Sequence, residues 1–246
     1  MMTRDLPIIH GDAATKRQSS PYSGHETLLV MQHARKYNQF LANLVRRHGE
    51  GLGTVVDFGA GIGAFAQTVK NWAPHLICVE PDQTQAAMLR SSGFLVAADV
   101  FELSDNSIGF FYSLNVFEHI QDDERVMADI LRKLRNGGRL LVYVPALSWL
   151  YSSMDRQVGH CRRYGLGELT EKLRRAGYRI RKAEYVDSLG VLATLAYKLW
   201  GDDSGAISIA GLKAYDRFLF PLSRLFDVAL RRLLGKNVLV IAEKAA

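Results

Sequence analysis

Acidic residues end three of the short apolar segments of this 246-residue chain. Asp57, Glu80 and Asp99 each directly follow such a segment. A carboxylate can accept hydrogen bonds from both hydroxyls of a ribose, or from the amino group of an adenine. In an open parallel sheet the carboxyl ends of the strands meet at one edge, where ligands bind. These acids are therefore candidates for contacting one nucleoside, although a single acid at such a position is usually a helix cap.

A glycine-rich turn follows the first of these acids. Gly59, Gly61 and Gly63 are spaced two residues apart, and Glu80 lies 21 residues after Gly59. Glycine tolerates positive φ and lets a ligand approach bare backbone. Gly-x-Gly-x-Gly alone is a weak signal, but an acid about 20 residues further on is typical of a ribose-binding position.

The spacing of apolar residues predicts strands and helices that alternate along most of the chain. This alternation is typical of a parallel sheet with helices on both faces. The predicted strands are Val55–Val56, Leu76–Glu80, Phe94–Ala98, Ile108–Leu114, Arg139–Val144, Tyr178–Val186 and Asn237–Ala242; the predicted helices between them are Thr84–Arg90, Asp122–Arg135 and Gly167–Ala176.

Two further segments are predicted to lie outside this repeat. Apolar residues recur at helical spacing from about His25 to Arg47, which predicts one or two amphipathic helices behind a loose arm or lid at Met1–Ser20. Residues 187–235 predict a helical insertion before the last strand. The predicted divisions are 1–50 for the arm and lid helices, 51–186 with 236–246 for the ligand-binding core, and 187–235 for the insertion.

Four motifs resemble those of class I S-adenosylmethionine-dependent methyltransferases: Asp57-Phe58-Gly59-Ala60-Gly61-Ile62-Gly63, Glu80-Pro81-Asp82, Ala98-Asp99, and Asn115-Val116-Phe117-Glu118-His119-Ile120. The similarity runs from about Val55 to Gly177 and includes the final strand. It implies an α/β, Rossmann-like fold whose seven-stranded, mostly parallel sheet has helices on both faces. In that family the last strand is antiparallel and lies between the fifth and the sixth.

The resemblance implies S-adenosylmethionine as cofactor and S-adenosylhomocysteine as product. It places Gly59 and Gly61 near the methionine moiety, Glu80 on the ribose, Asp99 near the adenine and Asn115 beside the sulfonium. The predicted cofactor-binding residues are Asp57, Gly59, Ala60, Gly61, Glu80, Pro81, Asp99, Val100, Asn115 and Val116. A nicotinamide dehydrogenase is the structural rival, but it would prefer Gly-x-Gly-x-x-Gly, and position 64 is Ala64.

The acceptor is expected to meet the loop after the fifth strand. In this loop Gly159-His160-Cys161-Arg162-Arg163-Tyr164 resembles a motif of a bacterial methyltransferase subgroup. His160 could be a general base and Arg162 or Arg163 an anion clamp; in the alternative interpretation Arg162 pairs with Asp155 and Tyr164 packs. The predicted substrate-binding residues are Tyr37, Trp149, Tyr151, His160 and Arg163, and the predicted catalytic residues are His160, Tyr151 and Asn115.

Glu118-His119 has two interpretations. It can pack against or cap the following helix, or it can bind a metal, as in ubiquinone-pathway O-methyltransferases and small-RNA 2′-O-methyltransferases, which carry Glu-x-x-Glu-His. Here the first position is Asn115, so one carboxylate is missing from that pattern. Divalent cations such as Mg²⁺ prefer charged oxygen ligands. The sequence therefore predicts no metal.

The predicted activity is methyl transfer to an oxygen or nitrogen of a small-molecule or lipid-linked acceptor by in-line displacement. The sulfonium is already a good leaving group, so alignment of the reactants is the main requirement. The alternatives are non-methylating use of S-adenosylmethionine, such as a cyclisation that releases methylthioadenosine, methylation of RNA, and a non-catalytic cofactor-binding partner.

Composition limits the kinds of partner that the protein is expected to bind. The net charge is +6 and the isoelectric point is about 9.3, which admits an acidic partner or a membrane surface. The basic residues are scattered among acids, and no Asn-Pro-Pro-Tyr-like motif follows the fourth strand, which disfavours nucleic acid. Residues 212–234 predict a basic amphipathic cap on the sheet edge, or alternatively a peripheral membrane contact. A homodimer is the expected assembly if the chain associates, and the absence of a secretory signal predicts a cytoplasmic protein.

Overall fold

The structure, a computed structural model, describes residues 30–200 and 208–245. The predicted arm at Met1–Ser20 and the first residues of the predicted N-terminal helix lie outside the described residues. None of the helices in the described ranges is both long enough and apolar enough to cross a bilayer.

The centre of the fold is a seven-stranded sheet in the order β3-β2-β1-β4-β5-β7-β6. All neighbouring pairs are parallel except those made by β7, which is antiparallel to both β5 and β6. The predicted Rossmann-like α/β fold is therefore confirmed, including the position of its last strand. The strands are β1 Val55–Phe58, β2 Leu76–Val79, β3 Leu95–Ala97, β4 Ile108–Leu114, β5 Leu134–Pro145, β6 Tyr178–Val186 and β7 Asn237–Lys244.

Helices cover both faces of the sheet. Leu41 of the first helix belongs to one apolar cluster, and Met127 and Leu169 belong to a second cluster on the other face. The central strands are continuous apolar runs, as the sequence predicts, because helices cover the sheet on both faces. The helices are α1 Arg35–Gly49, α2 Ala66–Val69, α3 Gln83–Ser91, α4 Asp123–Lys133, α5 Ser153–Gln157, α6 Leu166–Arg175, α7 Gly190–Trp200, α8 Ile209–Ala214 and α9 Phe220–Leu230.

The junction between α4 and β5 differs from the sequence prediction. The helix was expected to continue to Arg135 and the strand to begin at Arg139, but α4 ends at Lys133 and β5 begins at Leu134. Leu134 is fully buried and pairs with Ile108 of β4. Burial of this side chain at the strand pair favours an extended backbone five residues earlier than the predicted start at Arg139.

The antiparallel direction of β7 brings its first residues to the carboxyl edge of the parallel strands. Asn237 pairs with Pro145 at the end of β5 and with Val186 at the end of β6. Residues that open the last strand therefore lie beside those that close the others. This edge is where an α/β sheet binds ligands.

Candidate active site

A cleft of about 2230 Å³ lies along the carboxyl edge of the sheet. Small-molecule sites usually measure about 300–1,000 Å³, so this cleft has room for a cofactor and an acceptor together. Most of the predicted site residues line it, namely Tyr37, Gly59, Ala60, Gly61, Glu80, Pro81, Asp99, Val100, Asn115, Val116, His160 and Arg163. Asp57, Trp149 and Tyr151 are not among the lining residues.

The glycine turn after β1 exposes bare backbone to the cleft. Gly59 has φ +77°, and a Cβ atom built there would lie 2.4 Å from Cγ2 of Val116. Gly61 has φ +57°, and its N–H points to the carboxylate of Glu80 at 2.8 Å. A side chain at Gly59 would therefore collide with the loop after β4. Glycine at this position lets a ligand lie against bare backbone between the turn after β1 and the loop after β4.

Glu80 closes this turn from the end of β2. One carboxyl oxygen accepts the hydrogen bond from Gly61, and the other accepts one from the backbone N–H of Asp82 at 3.0 Å. Burial raises the pKa of Glu80, and these two hydrogen bonds oppose that change. Each carboxyl oxygen has a second lone pair. The carboxylate can therefore still accept hydrogen bonds from two ribose hydroxyls.

Asp99 and Val100 stand at the end of β3. Asp99 accepts a hydrogen bond from the backbone N–H of Phe101 at 3.1 Å and so caps a short 3₁₀ turn. Val100 is buried and supplies an apolar surface to the cleft. An exposed carboxylate beside an apolar wall suits an adenine, whose ring is apolar and whose amino group donates.

Asp57 lies behind the glycine turn instead of in the cleft. It is buried at the end of β1, and burial raises its pKa to about 7, with a further contribution from the charge of Glu80. Because Asp57 does not line the cleft, its carboxylate is not placed to contact a ligand there. The described structure favours a supporting position for Asp57 beneath Gly59.

Asn115 occupies the turn after β4 in a left-handed conformation, with φ +56°. Its backbone N–H donates to the carbonyl oxygen of Tyr143 at 2.8 Å, and its side chain interacts with the hydroxyl of Tyr37. Asparagine tolerates this conformation better than most residues. Tyr37 is held in turn, because its backbone N–H donates to Asp216 at 2.9 Å. The aromatic ring from α1 and the amide from β4 therefore meet at one part of the cleft.

Asp155 organises the loop after β5. Its carboxylate accepts hydrogen bonds from the backbone N–H of Ser152 and from Nε of Arg163, each at 2.9 Å, and lies 2.7 Å from Nδ1 of His160. Burial disfavours its charge, but the hydrogen bonds from His160 and Arg163 outweigh burial and lower the pKa of Asp155 to about 2. A charged acceptor fixes a proton on Nδ1 of His160. Nε2, which lies 3.7 Å from Oε1 of Glu118, then carries the lone pair of the ring.

The same network corrects one interpretation of the arginines. Arg163, not Arg162, pairs with Asp155, and its Nη1 also donates to the carbonyl oxygen of Ala146 at 3.3 Å. Arg162 instead lies 3.1 Å from the carboxylate of Asp123. Arg163 is thus largely committed to the protein, which leaves it little capacity to clamp an anion.

Trp149 and Tyr151 lie outside the cleft wall. The Tyr151 hydroxyl donates to the backbone oxygen of His160 at 2.7 Å, behind the imidazole. Trp149 is 49 % exposed, and its carbonyl oxygen accepts from Lys198 of α7. The placement gives Tyr151 a positioning contact with His160, and neither ring forms the expected wall around the acceptor.

Glu118, His119 and His160 form a cluster at this end of the cleft. Each offers a ligand atom, and these atoms lie within 4.8 Å of one another, so the set could hold a divalent cation. Nε2 of His160 is 3.7 Å from Oε1 of Glu118. Burial raises the pKa of Glu118 to about 8 and lowers that of His119 to about 4. At neutral pH the cluster therefore favours a protonated Glu118 beside a neutral His119.

Lys236 is a cleft residue that sequence analysis missed. It directly precedes β7 and lines the cleft, with its ammonium 5.2 Å from the ring centroid of Tyr215. Burial lowers its pKa, and the nearby carboxylate of Asp187 opposes that change. The signal was available in the sequence, because an antiparallel last strand must begin at the carboxyl edge of the others.

The fold and the cleft define the class of the protein: an α/β fold with a glycine turn that lines a cleft at the carboxyl edge of its sheet. Residues 31–183, more than half of the chain, match the family described as a methyltransferase domain, and the chain belongs to that family. It is an S-adenosylmethionine-dependent methyltransferase. The finer subgroup suggested by residues 159–164 stays a prediction.

Similar proteins agree with this assignment. An uncharacterized methyltransferase of Mycolicibacterium gilvum is 29 % identical over 196 residues, which cover 76 % of this chain and 75 % of the relative. A SAM-dependent methyltransferase from Archaeoglobus fulgidus has a TM-score of 0.59 at 18 % identity, covering 89 % of this chain and 100 % of that one.

A third comparison concerns a structure with bound ligands. Phosphoethanolamine N-methyltransferase 2 of Haemonchus contortus, in complex with phosphomonomethylethanolamine and S-adenosylhomocysteine, has a TM-score of 0.58 at 19 % identity and covers 85 % of this chain and 53 % of that one. At such identities the two solved structures establish the fold alone.

Proposed function

We propose that this enzyme transfers a methyl group from S-adenosylmethionine to an oxygen or nitrogen of a small-molecule or lipid-linked acceptor, with His160 as general base. The observation that carries the proposal is the 2.7 Å contact between Nδ1 of His160 and Asp155 at the wall of the cleft. The carboxylate selects the tautomer in which Nε2 can accept a proton. A hydroxyl or ammonium acceptor must lose a proton when it is methylated, and Nε2 can receive it.

The remaining cleft residues bind the cofactor and the acceptor and orient them for the reaction. S-adenosylmethionine supplies the methyl group and a good leaving group when it is bound. The Gly59–Gly61 turn presents backbone to the methionine moiety, Glu80 accepts from the ribose, and Asn115 stands at the turn nearest the acceptor end. Holding both reactants in line can account for about 7–11 kcal/mol of barrier reduction. The protein therefore needs alignment, exclusion of water and one proton acceptor.

Lys236 supports an acceptor that carries a negative charge. Its ammonium is half-buried at the cleft wall, whereas the guanidinium of Arg163 is bound to Asp155. A partly desolvated cation that is not fully neutralised favours an anionic group on the ligand. We expect Lys236→Met to raise KM for an anionic acceptor about tenfold or more, with a smaller effect on kcat.

The test is a mass-spectrometric screen with methyl-labelled S-adenosylmethionine against matched acceptors with and without a phosphate or carboxylate. The expected result is label in the acceptor together with one equivalent of S-adenosylhomocysteine. Methylthioadenosine as the product would contradict methyl transfer. S-adenosylhomocysteine as the product indicates methyl transfer, whereas methylthioadenosine indicates another use of S-adenosylmethionine.

His160→Ala and Lys236→Met then test the two assignments separately. The first is expected to lower kcat on any acceptor that loses a proton, and the second to act on anionic acceptors only. Full turnover by His160→Ala would overturn the general base, and equal losses on charged and neutral acceptors would overturn the anion preference.

A further inference from the structure

The helical segment at residues 208–234, before β7, packs against the core through the buried ring of Phe220 and through polar side chains. Asp216, Ser223 and Asp227 are all buried on one side of it. They accept hydrogen bonds from backbone N–H groups of residues 36–37 and 187–189 at 2.8–3.0 Å. Buried carboxylates that accept two backbone hydrogen bonds each make strong, directional contacts. This side of the segment is therefore firmly attached.

The opposite side of the segment is apolar and exposed. Five residues at helical spacing form this apolar face, and their exposed fractions range from 45 % to 72 %. An ordinary surface helix carries polar and charged side chains on its outer side. A contiguous apolar patch on a monomer usually marks an interaction site. The apolar face consists of Phe218, Leu222, Leu225, Phe226 and Leu233.

The exposed charges of residues 208–236 have a single sign. Residues 208–236 contain two acids, Asp216 and Asp227, and both are buried under the segment. Arg217, Arg231 and Arg232 are exposed next to the apolar face. An apolar strip bordered by arginines, in a segment that exposes no acid between residues 208 and 236, complements an anionic lipid surface.

The apolar face adjoins the cleft through α1. The ammonium of Lys36 donates to the backbone oxygen of Arg217 at 3.0 Å, and the neighbouring Arg35 lines the cleft. Phe218, which follows Arg217, is 67 % exposed. A surface bound at this face would therefore lie beside the wall of the active site.

We propose that the apolar face is a peripheral membrane-binding surface that inserts between the headgroups of an anionic bilayer. Phe218, Leu222, Leu225, Phe226 and Leu233 enter the interface, and Arg217, Arg231 and Arg232 contact lipid phosphates. The two buried acids hold the segment in this orientation on the folded protein. The inference does not depend on the identity of the methyl acceptor.

The experiment is cosedimentation of the full chain with vesicles of phosphatidylcholine alone or mixed with phosphatidylglycerol. We expect binding to the mixed vesicles that weakens as salt is raised. Phe218→Gln with Leu225→Gln should lower the partition coefficient about tenfold or more, because both side chains leave water on binding. Arg231→Gln with Arg232→Gln should lower it about fivefold for each charge removed.

Met88→Gln is the matched control. Met88 is 46 % exposed on α3, outside the apolar face, so its replacement should not change partition. All these side chains are exposed, and circular dichroism should show unchanged folding. No binding to mixed vesicles, equal binding to both vesicle types, or unchanged binding by the double glutamine variant would overturn the proposal. Lipid-independent dimerisation that Leu225→Gln abolishes would assign the apolar face to a second copy instead, and would also overturn it.

Discussion

Asp155 fixes the imidazole of His160, with Oδ1 of the carboxylate 2.7 Å from Nδ1 of the ring. The same carboxylate also accepts from Arg163, which neutralises much of its charge and keeps it ionised. The loop after β5 therefore contains a carboxylate–imidazole pair, and its imidazole belongs to a residue that lines the cleft. This arrangement resembles the orienting carboxylate of a general-base site, although the fold and the reaction are different.

Replacement of the base is the first prediction. His160→Ala should lower kcat about 10²- to 10⁴-fold on a proton-losing acceptor, because general-base assistance is lost. The dissociation constant for S-adenosylhomocysteine should stay unchanged in calorimetry. His75→Ala, at an exposed position before β2, is the control and should keep full activity. A large loss of cofactor affinity in His160→Ala would mean that the residue supports the cofactor site instead.

Asp155→Asn should act through His160. It should reduce kcat in the wild-type background and have little further effect in the His160→Ala background, since the two residues work as a unit. A double-mutant cycle on kcat measures this coupling. Additive losses would show that Asp155 affects turnover only by holding the loop.

The ribose assignment leads to a binding prediction. Glu80→Ala should weaken S-adenosylhomocysteine binding about 10- to 100-fold, because two charge-assisted hydrogen bonds are lost. Isothermal calorimetry provides the measurement, and Glu171→Ala on the exposed side of α6 is a charge-matched control. Unchanged affinity in Glu80→Ala would place the ribose elsewhere along the cleft.

Chelation tests the prediction that no metal is needed. The cluster of Glu118, His119 and His160 offers one carboxylate, and position 115, three residues before Glu118, is the amide Asn115. We therefore expect turnover to be unchanged after treatment with EDTA and gel filtration. Loss of activity that Mg²⁺ or Mn²⁺ restores would contradict this expectation and assign the cluster as a metal centre.

Glu118 should make the free energy of unfolding depend on pH. Its pKa is about 8 in the folded protein against an ordinary 4.5, so folding takes up a proton between these values. The resulting stability is fully present below about pH 4.5 and is lost as pH rises towards about 8. Glu118→Gln removes this group, and its stability relative to wild type should rise by up to about 1.4 kcal/mol per pH unit across that window.

Urea unfolding from pH 5 to 9, with EDTA present, measures this difference. The pKa of Asp57 is also raised, but Asp57 is present in both proteins, so its effect on the free energy of unfolding cancels in the comparison. A stability difference between wild type and Glu118→Gln that does not vary with pH would show that Glu118 does not gain a proton on folding.

The positions of the proposed cofactor-binding residues in the cleft could be predicted from sequence because they follow strand ends. Gly59, Glu80 and Asp99 stand where three predicted strands stop, and parallel strands bring their carboxyl ends to one edge. The acceptor half depends on a loop and on the start of β7. Which arginine pairs with Asp155, and where Tyr151 points, depends on turns such as the left-handed Leu147, with φ +65°, that no periodicity reveals.

The helical insertion shows a second limit. Helical spacing predicted an apolar stripe through Phe218, Leu222 and Leu225, and the sequence favoured a cap packed on the sheet edge. Periodicity identifies a face but does not say which side of the helix meets the core. Here Asp216 and Asp227 bind backbone N–H groups of the core, and Phe218, Leu222 and Leu225 are exposed.

The need for glycine at position 59 has two separable causes: its positive φ, and the collision that a Cβ atom would make with Val116. Gly59 and Gly93 both have positive φ, +77° and +80°, but only a Cβ at Gly59 would meet another atom, Cγ2 of Val116 at 2.4 Å. Gly93→Ala should cost about 1–2 kcal/mol of stability, the usual penalty of this conformation, and leave cofactor affinity unchanged. Gly59→Ala should cost more, because the loop after β4 must also move.

That displacement should reach the cofactor, since Val116 and Asn115 form the same loop. We expect Gly59→Ala to weaken S-adenosylhomocysteine binding at least about tenfold, and Gly59→Ala with Val116→Ala to recover part of the lost stability, because the nearest methyl groups are gone. Thermal unfolding and calorimetry on the three variants measure both effects. Equal losses of stability in Gly59→Ala and Gly93→Ala, with affinity intact in both, would show that backbone conformation alone explains Gly59.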